Sequence, residues 1–193
     1  KVYPATSTPD MKRLDPKGTE GVKPFKAKKA DLKYKGEKIA EPLAFLPVFP
    51  GTNCDYDSAK AFRKAGAKVK FGVFRNLTEQ DVNDSIEEMK RNIDECQILM
   101  LCGGFSAGDE PDGSGKFIAN VLNNEKIAAA IEALIARGGL ILGICNGFQA
   151  LVKSGLLPYG HLGCVTKDSP TLFRNDINRH ISQIAFTRVA SVN

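Results

Sequence analysis

Two short, continuous apolar segments of this chain each run directly into glycine. They are Ile98–Cys102, followed by Gly103, and Leu140–Leu142, followed by Gly143. Continuous apolar runs of this length are typical of strands that are covered on both faces, as in a parallel sheet. Ligands of open α/β sheets bind at the carboxyl ends of the strands. The sequence therefore predicts a parallel sheet with a candidate site where these two strands end.

Strand-like and helical segments alternate along the chain from residue 43. Strands are predicted at 43–48, 69–74, 98–102 and 140–142, and helices at 56–65, 79–93, 116–122, 125–137 and 146–153. This alternation favours a doubly wound α/β fold with a mainly parallel sheet. Pro47 weakens the first strand because proline lacks a ladder donor. Thr78 and Asp81 have the spacing of a capping box for the second helix.

The composition is that of a globular chain, with 42% hydrophobic and 25% charged residues among 193. No run approaches 18 uninterrupted apolar residues, and the first residues contain no apolar signal-peptide core. We therefore expect no membrane association and a cytoplasmic location. Five cysteines without a C-x-x-C pair and two histidines without ligand spacing argue against a disulfide framework and against a metal site.

Residues 1–41 form a basic leader, and residues 42–193 the predicted domain. Residues 1–40 hold 11 Lys or Arg against 5 Asp or Glu, whereas the rest holds 16 against 17. A basic tail can bind phosphates. The leader lacks interleaved aromatic residues and any nucleic-acid motif, so we expect a solvated linker and no nucleic-acid partner. The nucleic-acid alternative predicts a steep salt dependence of binding.

The segment Gly143–Gly147 contains G-x-C-x-G between a predicted strand and a predicted helix. This is the cysteine counterpart of the G-x-S-x-G nucleophile elbow, a sharp turn that strains the nucleophile's backbone and needs glycines around it. The turn exposes the sulfur at a helix N-terminus, where free N–H groups favour the thiolate. Cys145 is therefore the predicted nucleophile. The other cysteines are expected to be small buried hydrophobes: Cys54, Cys96, Cys102 and Cys164.

The glycine-rich segment after the neighbouring strand is the predicted oxyanion hole. Consecutive glycines let amide groups point into a site, and acyl chemistry on cysteine generates an oxyanion that such amides stabilise. We expect the donors to be the amide between Gly104 and Phe105 and the amide of Asn146; a simple turn is the alternative. Further back, Asn53 or Asp55 is expected to cap a helix, the alternative being a position at the rim of the site.

The segment Gly143–Gln149 resembles the nucleophile motif of class I glutamine amidotransferases, a family with a flavodoxin-like three-layer architecture. Three further segments, Pro50–Asp55, Gly103–Asp109 and Arg174–His180, narrow the resemblance to the glutaminase domains of the phosphoribosylformylglycinamidine synthase family. The resemblance runs from about residue 43 to the end. The leader resembles the connection to the synthetase part in the single-chain form of those enzymes.

This resemblance implies that Cys145 attacks the side-chain amide of L-glutamine, releases ammonia and leaves a glutamyl thioester that water hydrolyses. It also implies that Gln149 contacts the bound glutamine. Ammonia would pass to a synthetase domain or subunit of the same enzyme. There, formylglycinamide ribonucleotide would be converted to its amidine in purine biosynthesis. No P-loop occurs in this chain, so ATP and Mg²⁺ are expected in the synthetase part.

The resemblance further implies a His-x-Glu base downstream, and no His-x-Glu occurs in the 193 residues. His161 and His180 are expected to be surface or packing histidines, so we expect an incomplete domain with little glutaminase activity alone. Asn175 and Arg179 match the family motif without an assigned role. The alternatives are a DJ-1/PfpI-like hydrolase or chaperone, which the Gln149 position fits poorly, and a non-catalytic docking module.

Overall fold

The computed structural model describes residues 39–106, 108, 115–172, 177, 179, 182 and 184. Residues 1–38, Asn175 and His180 lie outside this set, so the linker assignment and the domain boundary at residue 42 stay predictions. The fold described below belongs to the compact unit Lys35–Asp176.

Four parallel strands form one sheet in the described part of the chain. They are β1 (Leu43–Val48), β2 (Lys68–Val73), β3 (Ile98–Leu101) and β4 (Leu140–Gly143), in the order β2-β1-β3-β4. The chain steps outward from β1 to β2 and then returns to the other side of β1 for β3. The carboxyl ends of β1 and β3 therefore form the topological switch point, where such sheets bind ligands.

Six helices are described between and after the strands. They are α1 (Asp55–Lys64), α2 (Glu79–Glu95), α3 (Lys116–Leu122), α4 (Glu125–Ala136), α5 (Asn146–Ser154) and α6 (Leu156–Tyr159). Thr78 caps α2 as predicted, because its Oγ1 accepts the Asp81 N–H at 3.0 Å. The Asp81 carboxylate accepts from the Thr78 hydroxyl at 2.9 Å and not from the Thr78 backbone N–H, so the reciprocal half of the capping box is not formed. None of the described helices has the length and apolar character needed to cross a membrane.

Helices cover both faces of the sheet. On one face, Ala59 and Phe62 of α1 pack against Leu46 and Met100. On the other face, side chains of α2 to α5 form the larger core with Phe45 and other residues of β1 and β3. The central strands are thus buried on both sides, as their continuous apolar sequences predict. The doubly wound α/β prediction is confirmed.

Pro47 does not prevent β1 from being a central strand. It is in register with Gly72 of β2, while β1 is in register with β3 only at Ala44 and Phe45. The proline therefore lies beyond the pairing with β3, where its missing N–H removes no bond of that ladder.

Candidate active site

Cys145 lies between β4 and α5 with φ 53° and ψ −108°. Among the described non-glycine residues, Cys54 and Cys145 are those with positive φ. A side chain in this region of conformational space is strained, and such strain concentrates at functional sites. Cys145 is also exposed to solvent. The predicted elbow geometry, a strained turn that presents the cysteine at a helix N-terminus, is confirmed.

Two glycines allow α5 to approach the end of the sheet. A Cβ at position 147 would lie 2.1 Å from the carbonyl oxygen of Leu101, and a Cβ at position 143 would lie 2.7 Å from the Gly147 oxygen. Real Cβ atoms are not found at such distances, so a larger residue at Gly147 would push α5 away from β3, and a larger residue at Gly143 would push α5 away from β4. The role predicted for these glycines, room around the elbow, is confirmed.

The loops that follow β1 and β3 are joined beside Cys145. The Asn53 N–H donates to the Gly103 oxygen at 2.8 Å, and the Phe105 N–H donates to the Gly51 oxygen at 2.8 Å. These two bonds flank a short antiparallel bridge between residues 52 and 104. A Cβ at Gly103 would lie 3.4 Å from the Cys145 Cβ. The switch point of the sheet and the elbow therefore form one site.

The predicted donor between Gly104 and Phe105 does not fit this structure. That N–H belongs to Phe105 and is already bonded to Gly51, a contact between parts of the chain far apart in sequence. The preceding amide, of Gly104, makes no hydrogen bond within the described residues. Gly104 has φ 142°, and a Cβ there would lie 2.5 Å from the Gly51 oxygen, so only glycine fits. On this loop the Gly104 N–H, and not the Phe105 N–H, is therefore the candidate donor.

The second predicted donor, the Asn146 amide, is the first N–H of α5. The first N–H groups of a helix have no acceptor within it. This amide belongs to the residue that directly follows Cys145, and it is available to a bound oxyanion. Gln149 lies one turn further along α5, on the side of the helix that carries Cys145.

The Asn146 side chain is a feature of the site that the sequence analysis missed. It is fully buried, although it adjoins the exposed Cys145. Its Oδ1 accepts the Ser106 N–H at 3.2 Å, and its Nδ2 donates to Gln149 Oε1 at 3.2 Å. The signal in the sequence was an amide residue, instead of an apolar one, in the buried first turn of the elbow helix.

The expected cap of α1 is wrong. The residue at its N-terminus is Cys54, with φ 62° and no side-chain capping bond, so neither Asn53 nor Asp55 caps the helix. The left-handed turn at Cys54 starts the helix directly after Asn53, whose N–H donates to the Gly103 oxygen. The alternative expectation, a position for Asn53 at the rim of the site, agrees with its backbone bond to the glycine-rich loop.

Of the four remaining cysteines, two are buried and two are exposed. Cys96 and Cys102 are buried as expected, whereas the expectation is wrong for Cys54 and Cys164, which are exposed. Burial raises the pKa of the Cys102 thiol, and burial raises the pKa of Cys96 to about 11.

His161 lies at the far end of α5 from Cys145. Its backbone oxygen approaches Gly155, the residue after the last turn of α5. The helix has nine residues, a length of about 13 Å. The exposed His161 ring binds Glu132 Oε2 through Nδ1 at 3.2 Å. The expectation that His161 is a surface histidine is confirmed, and no histidine lies beside Cys145 within the described residues.

Comparison with known proteins finds subunits of phosphoribosylformylglycinamidine synthase among the relatives of this chain. Phosphoribosylformylglycinamidine synthase subunit PurQ of Dehalococcoides mccartyi is 40% identical over 109 residues, which are 56% of this chain and 38% of that protein. The subunit of the same name in Roseobacter denitrificans is 37% identical over 115 residues, 60% of this chain and 44% of that protein. This chain therefore spans less than half of the length of these curated relatives.

Among solved structures, that of PurLQS from Thermotoga maritima matches 61% of this chain and 46% of its own, at 34% identity and a TM-score of 0.42. The family model for the CobB/CobQ-like glutamine amidotransferase domain matches residues 41–193, which include the elbow and both loops of the site. The chain belongs to the CobB/CobQ-like glutamine amidotransferase family.

Proposed function

We propose that this chain carries the nucleophile, Cys145, of a glutamine-hydrolysing site. The observation that carries the proposal is the conformation of Cys145, an exposed cysteine held at positive φ between β4 and α5 and next to Gly103. The Cys145 thiolate attacks the side-chain carbonyl carbon of L-glutamine. The proton that the Cys145 thiol gave up passes to the leaving nitrogen, which departs as ammonia, and water hydrolyses the resulting glutamyl thioester.

The oxyanion formed in this attack is stabilised by the amides of Gly104 and Asn146. Both amides are without an acceptor in the described residues, and both lie on backbone that glycine contacts hold close to Cys145. Preorganised N–H donors of this kind stabilise an oxyanion strongly, because they need no reorganisation during the reaction. Gln149, on the same side of α5, contacts the bound glutamine.

The ammonia is used by a synthetase domain or subunit of a phosphoribosylformylglycinamidine synthase. Support comes from the names of the curated relatives, which are subunits of that synthase, and from the family match. The synthetase part binds ATP and Mg²⁺ and converts formylglycinamide ribonucleotide to the amidine. This chain contributes the ammonia.

The test is covalent labelling of the complete protein that carries this chain. The glutamine analogue 6-diazo-5-oxo-norleucine should modify Cys145, identified by mass spectrometry of the peptide, and glutamine should protect against it. Glutamine-dependent ammonia release should be lost in Cys145→Ala. Absence of labelling at Cys145, or ammonia release that survives in Cys145→Ala, would overturn the proposal.

The same labelling separates the alternatives. A DJ-1/PfpI-like protein would show a reactive cysteine without protection by glutamine, and the amidotransferase family match gives that interpretation no support. A docking module would show neither labelling nor ammonia release.

A further inference from the structure

Cys54 is an exposed cysteine in a strained conformation that the proposed reaction does not use. Its φ is 62°, and among the described non-glycine residues Cys145 is the other one with positive φ. The elbow accounts for the conformation of Cys145, whereas Cys54 stands at the N-terminus of α1 without a side-chain capping bond. Strained residues concentrate at functional sites, so a second strained thiol at the same edge of the sheet indicates a role of its own.

A further cysteine, Cys102, lies opposite Cys54. The loops after β1 and β3 run antiparallel here, and the Asn53 N–H donates to the Gly103 oxygen at 2.8 Å. Continued by one more pair of residues, this antiparallel register places Cys54 across from Cys102. Directly opposite residues of an antiparallel pair have Cα atoms about 4.5–5.5 Å apart, which lies within the range that a disulfide bond spans, about 4.4–6.8 Å.

The packing around α1 agrees with this placement. Cys102 is 3% exposed and belongs to the core on the face of the sheet that α1 covers, together with Ala59 of α1. Burial raises the pKa of the Cys102 thiol, against a hydrogen bond with Ser58 that lowers it. The negative charges of Asp55 and Cys54 raise this pKa further, so both groups lie near the thiol. Ser58 follows Cys54 by one helical turn, and Cys102 therefore contacts the turn of α1 that begins at Cys54.

The two thiols adjoin the candidate active site. Cys102 directly precedes Gly103, where an added Cβ would lie 3.4 Å from the Cys145 Cβ, and the next residue, Gly104, carries a proposed oxyanion donor. A disulfide bond brings two sulfur atoms closer together than van der Waals contact allows, so it draws the end of β3 and the start of α1 together. A displacement of about 1 Å at a reacting site can lower a rate about 100-fold.

We propose that Cys54 and Cys102 are an oxidation site, at which a hydroperoxide converts the two thiols to a disulfide and thereby prevents recognition of glutamine at Cys145. The consequence for glutamine rests on the proposed function. The formation of the disulfide does not depend on it.

The reaction balances with the hydroperoxide as the oxidant. Cys54, as its thiolate, attacks one peroxide oxygen, the O–O bond breaks, and the other oxygen takes a proton from solvent and leaves as an alcohol, or as water in the case of hydrogen peroxide. Cys54 is then a sulfenic acid. The Cys102 sulfur attacks the Cys54 sulfur, the S–O bond breaks, and the departing hydroxide takes the Cys102 thiol proton and leaves as water. The two sulfur atoms together lose two electrons, which the peroxide gains.

The first experiment is oxidation of the complete, reduced protein with hydrogen peroxide. Free thiols are then blocked with N-ethylmaleimide, and tryptic fragments are identified by mass spectrometry without reduction. The fragment with Cys54 should be joined to residues 92–116, and dithiothreitol should separate them. Residues 92–116 also contain Cys96, so fragmentation of the linked peptide must place the bond at Cys102. A bond from Cys54 to Cys96 or to Cys145, or no bond, would overturn the proposal.

The second measurement is the rate at which 6-diazo-5-oxo-norleucine labels Cys145. Hydrogen peroxide also oxidises exposed thiols directly, so the rate is expressed per Cys145 that iodoacetamide can still alkylate to completion. It should fall about 100-fold in the oxidised protein and return after dithiothreitol. A disulfide between Cys54 and Cys102 that leaves this rate unchanged would overturn the proposal.

Variants of the two thiols provide the controls. Cys54→Ser and Cys102→Ala cannot form the bond, so each should keep its labelling rate after oxidation. Cys102→Ala leaves a small cavity because Cys102 is buried, whereas Cys54→Ser changes an exposed residue and keeps the test valid if the buried variant does not fold. The matched control is Cys164→Ala, which removes another exposed thiol and should respond to oxidation as the unaltered protein does. An equal loss of labelling in Cys54→Ser would contradict the proposal.

Failure of the proposed function is distinguishable from failure of this inference. If the glutamine analogue does not label Cys145 in the reduced, unaltered protein, the proposed function fails, and the linked fragment still decides whether Cys54 and Cys102 form a disulfide. If the analogue labels the reduced protein and no linked fragment forms, only this inference fails.

Discussion

Gly147 lies so close to Leu101 that a Cβ on it would be 2.1 Å from the Leu101 carbonyl oxygen. This contact joins the first turn of α5 to the end of β3 and thereby fixes where Cys145 stands above the sheet. Glycine is therefore required at position 147 because a side chain would clash with Leu101. Its backbone conformation is not the reason, since Gly147 is not among the glycines with positive φ.

Gly147→Ala should lower the free energy of unfolding by about 3 kcal/mol, because the methyl group forces α5 and β3 apart. The measurement is urea unfolding of the protein. The control is Gly66→Ala, where φ is +90° and nothing lies within 4 Å of the added Cβ. That change should cost only the left-handed strain of about 1 kcal/mol. Equal losses in the two variants would show that the contact with Leu101 is easily relieved.

The strained backbone at Cys145 makes a separate prediction about stability. Side chains at such dihedral angles cost about 1–3 kcal/mol, and glycine avoids this cost while losing about 0.5–1 kcal/mol of backbone entropy. Cys145→Gly should therefore be more stable than Cys145→Ala by about 1 kcal/mol, although both lack the nucleophile. Thermal unfolding of the two variants measures this difference.

The control pair for that prediction is Cys164→Gly and Cys164→Ala. Cys164 is also exposed, but it is not among the residues with positive φ. Glycine should be the less stable choice at position 164. If glycine is also the less stable choice at position 145, the elbow is not strained in solution.

The elbow could be predicted from sequence because its determinants are local. A strand, a G-x-C-x-G turn and a helix follow one another within a few residues, and the glycine spacing fixes the turn. The strand order could not be obtained in this way, since it depends on which apolar segments pair. The position of Cys145 beside Gly103 depends on that order.

The errors of the sequence analysis arose from contacts between distant segments. The sequence alone does not show that the loop after β1 lies against Phe105. In the structure the Gly51 oxygen of that loop accepts the Phe105 N–H. The helix after that loop begins with a left-handed turn at Cys54, one residue after the Asn53 bond to Gly103, and has no side-chain cap. The Asn146 side chain was missed because its partner Ser106 is 40 residues earlier in the chain.

Gly103→Ala should lower the rate of glutamine-dependent ammonia release strongly and the free energy of unfolding only slightly. Its Cβ would lie 3.4 Å from the Cys145 Cβ and 3.6 Å from the Ile144 oxygen, which are ordinary van der Waals distances. We expect the free energy of unfolding to change by less than about 1 kcal/mol. Glutamine-dependent ammonia release should fall about 100-fold, because a methyl group beside the sulfur displaces the reacting carbonyl.

Steady-state kinetics and urea unfolding of the same Gly103→Ala preparation test this expectation. Gly104→Ala provides the contrast, since a Cβ there would lie 2.5 Å from the Gly51 oxygen and should disturb the loop itself. Unchanged ammonia release in Gly103→Ala would mean that glutamine does not approach the sulfur from the side of this loop.

The buried thiol of Cys96 makes stability depend on pH in the alkaline range. Burial, opposed in part by the charge of Arg137, raises its pKa from the ordinary 9.0 to about 11 in the folded protein. The folded state therefore retains the thiol proton at pH values where the unfolded state has lost it. The resulting stabilisation is complete below pH 9, and it is lost as pH rises from about 9 to about 11.

The size of this loss follows from two pKa units, at 1.36 kcal/mol for each, and is therefore about 3 kcal/mol. Urea unfolding of the protein and of Cys96→Ala, measured from pH 7 to pH 11, isolates the contribution of this one thiol, because all other titrations are common to both. Cys96→Ala should be the less stable of the two at pH 7, since it leaves a cavity. The difference between the two proteins should narrow above pH 9 as the unaltered protein loses the stabilisation. Parallel curves would mean that Cys96 ionises as readily in the folded protein as in the unfolded chain, and that its surroundings admit water.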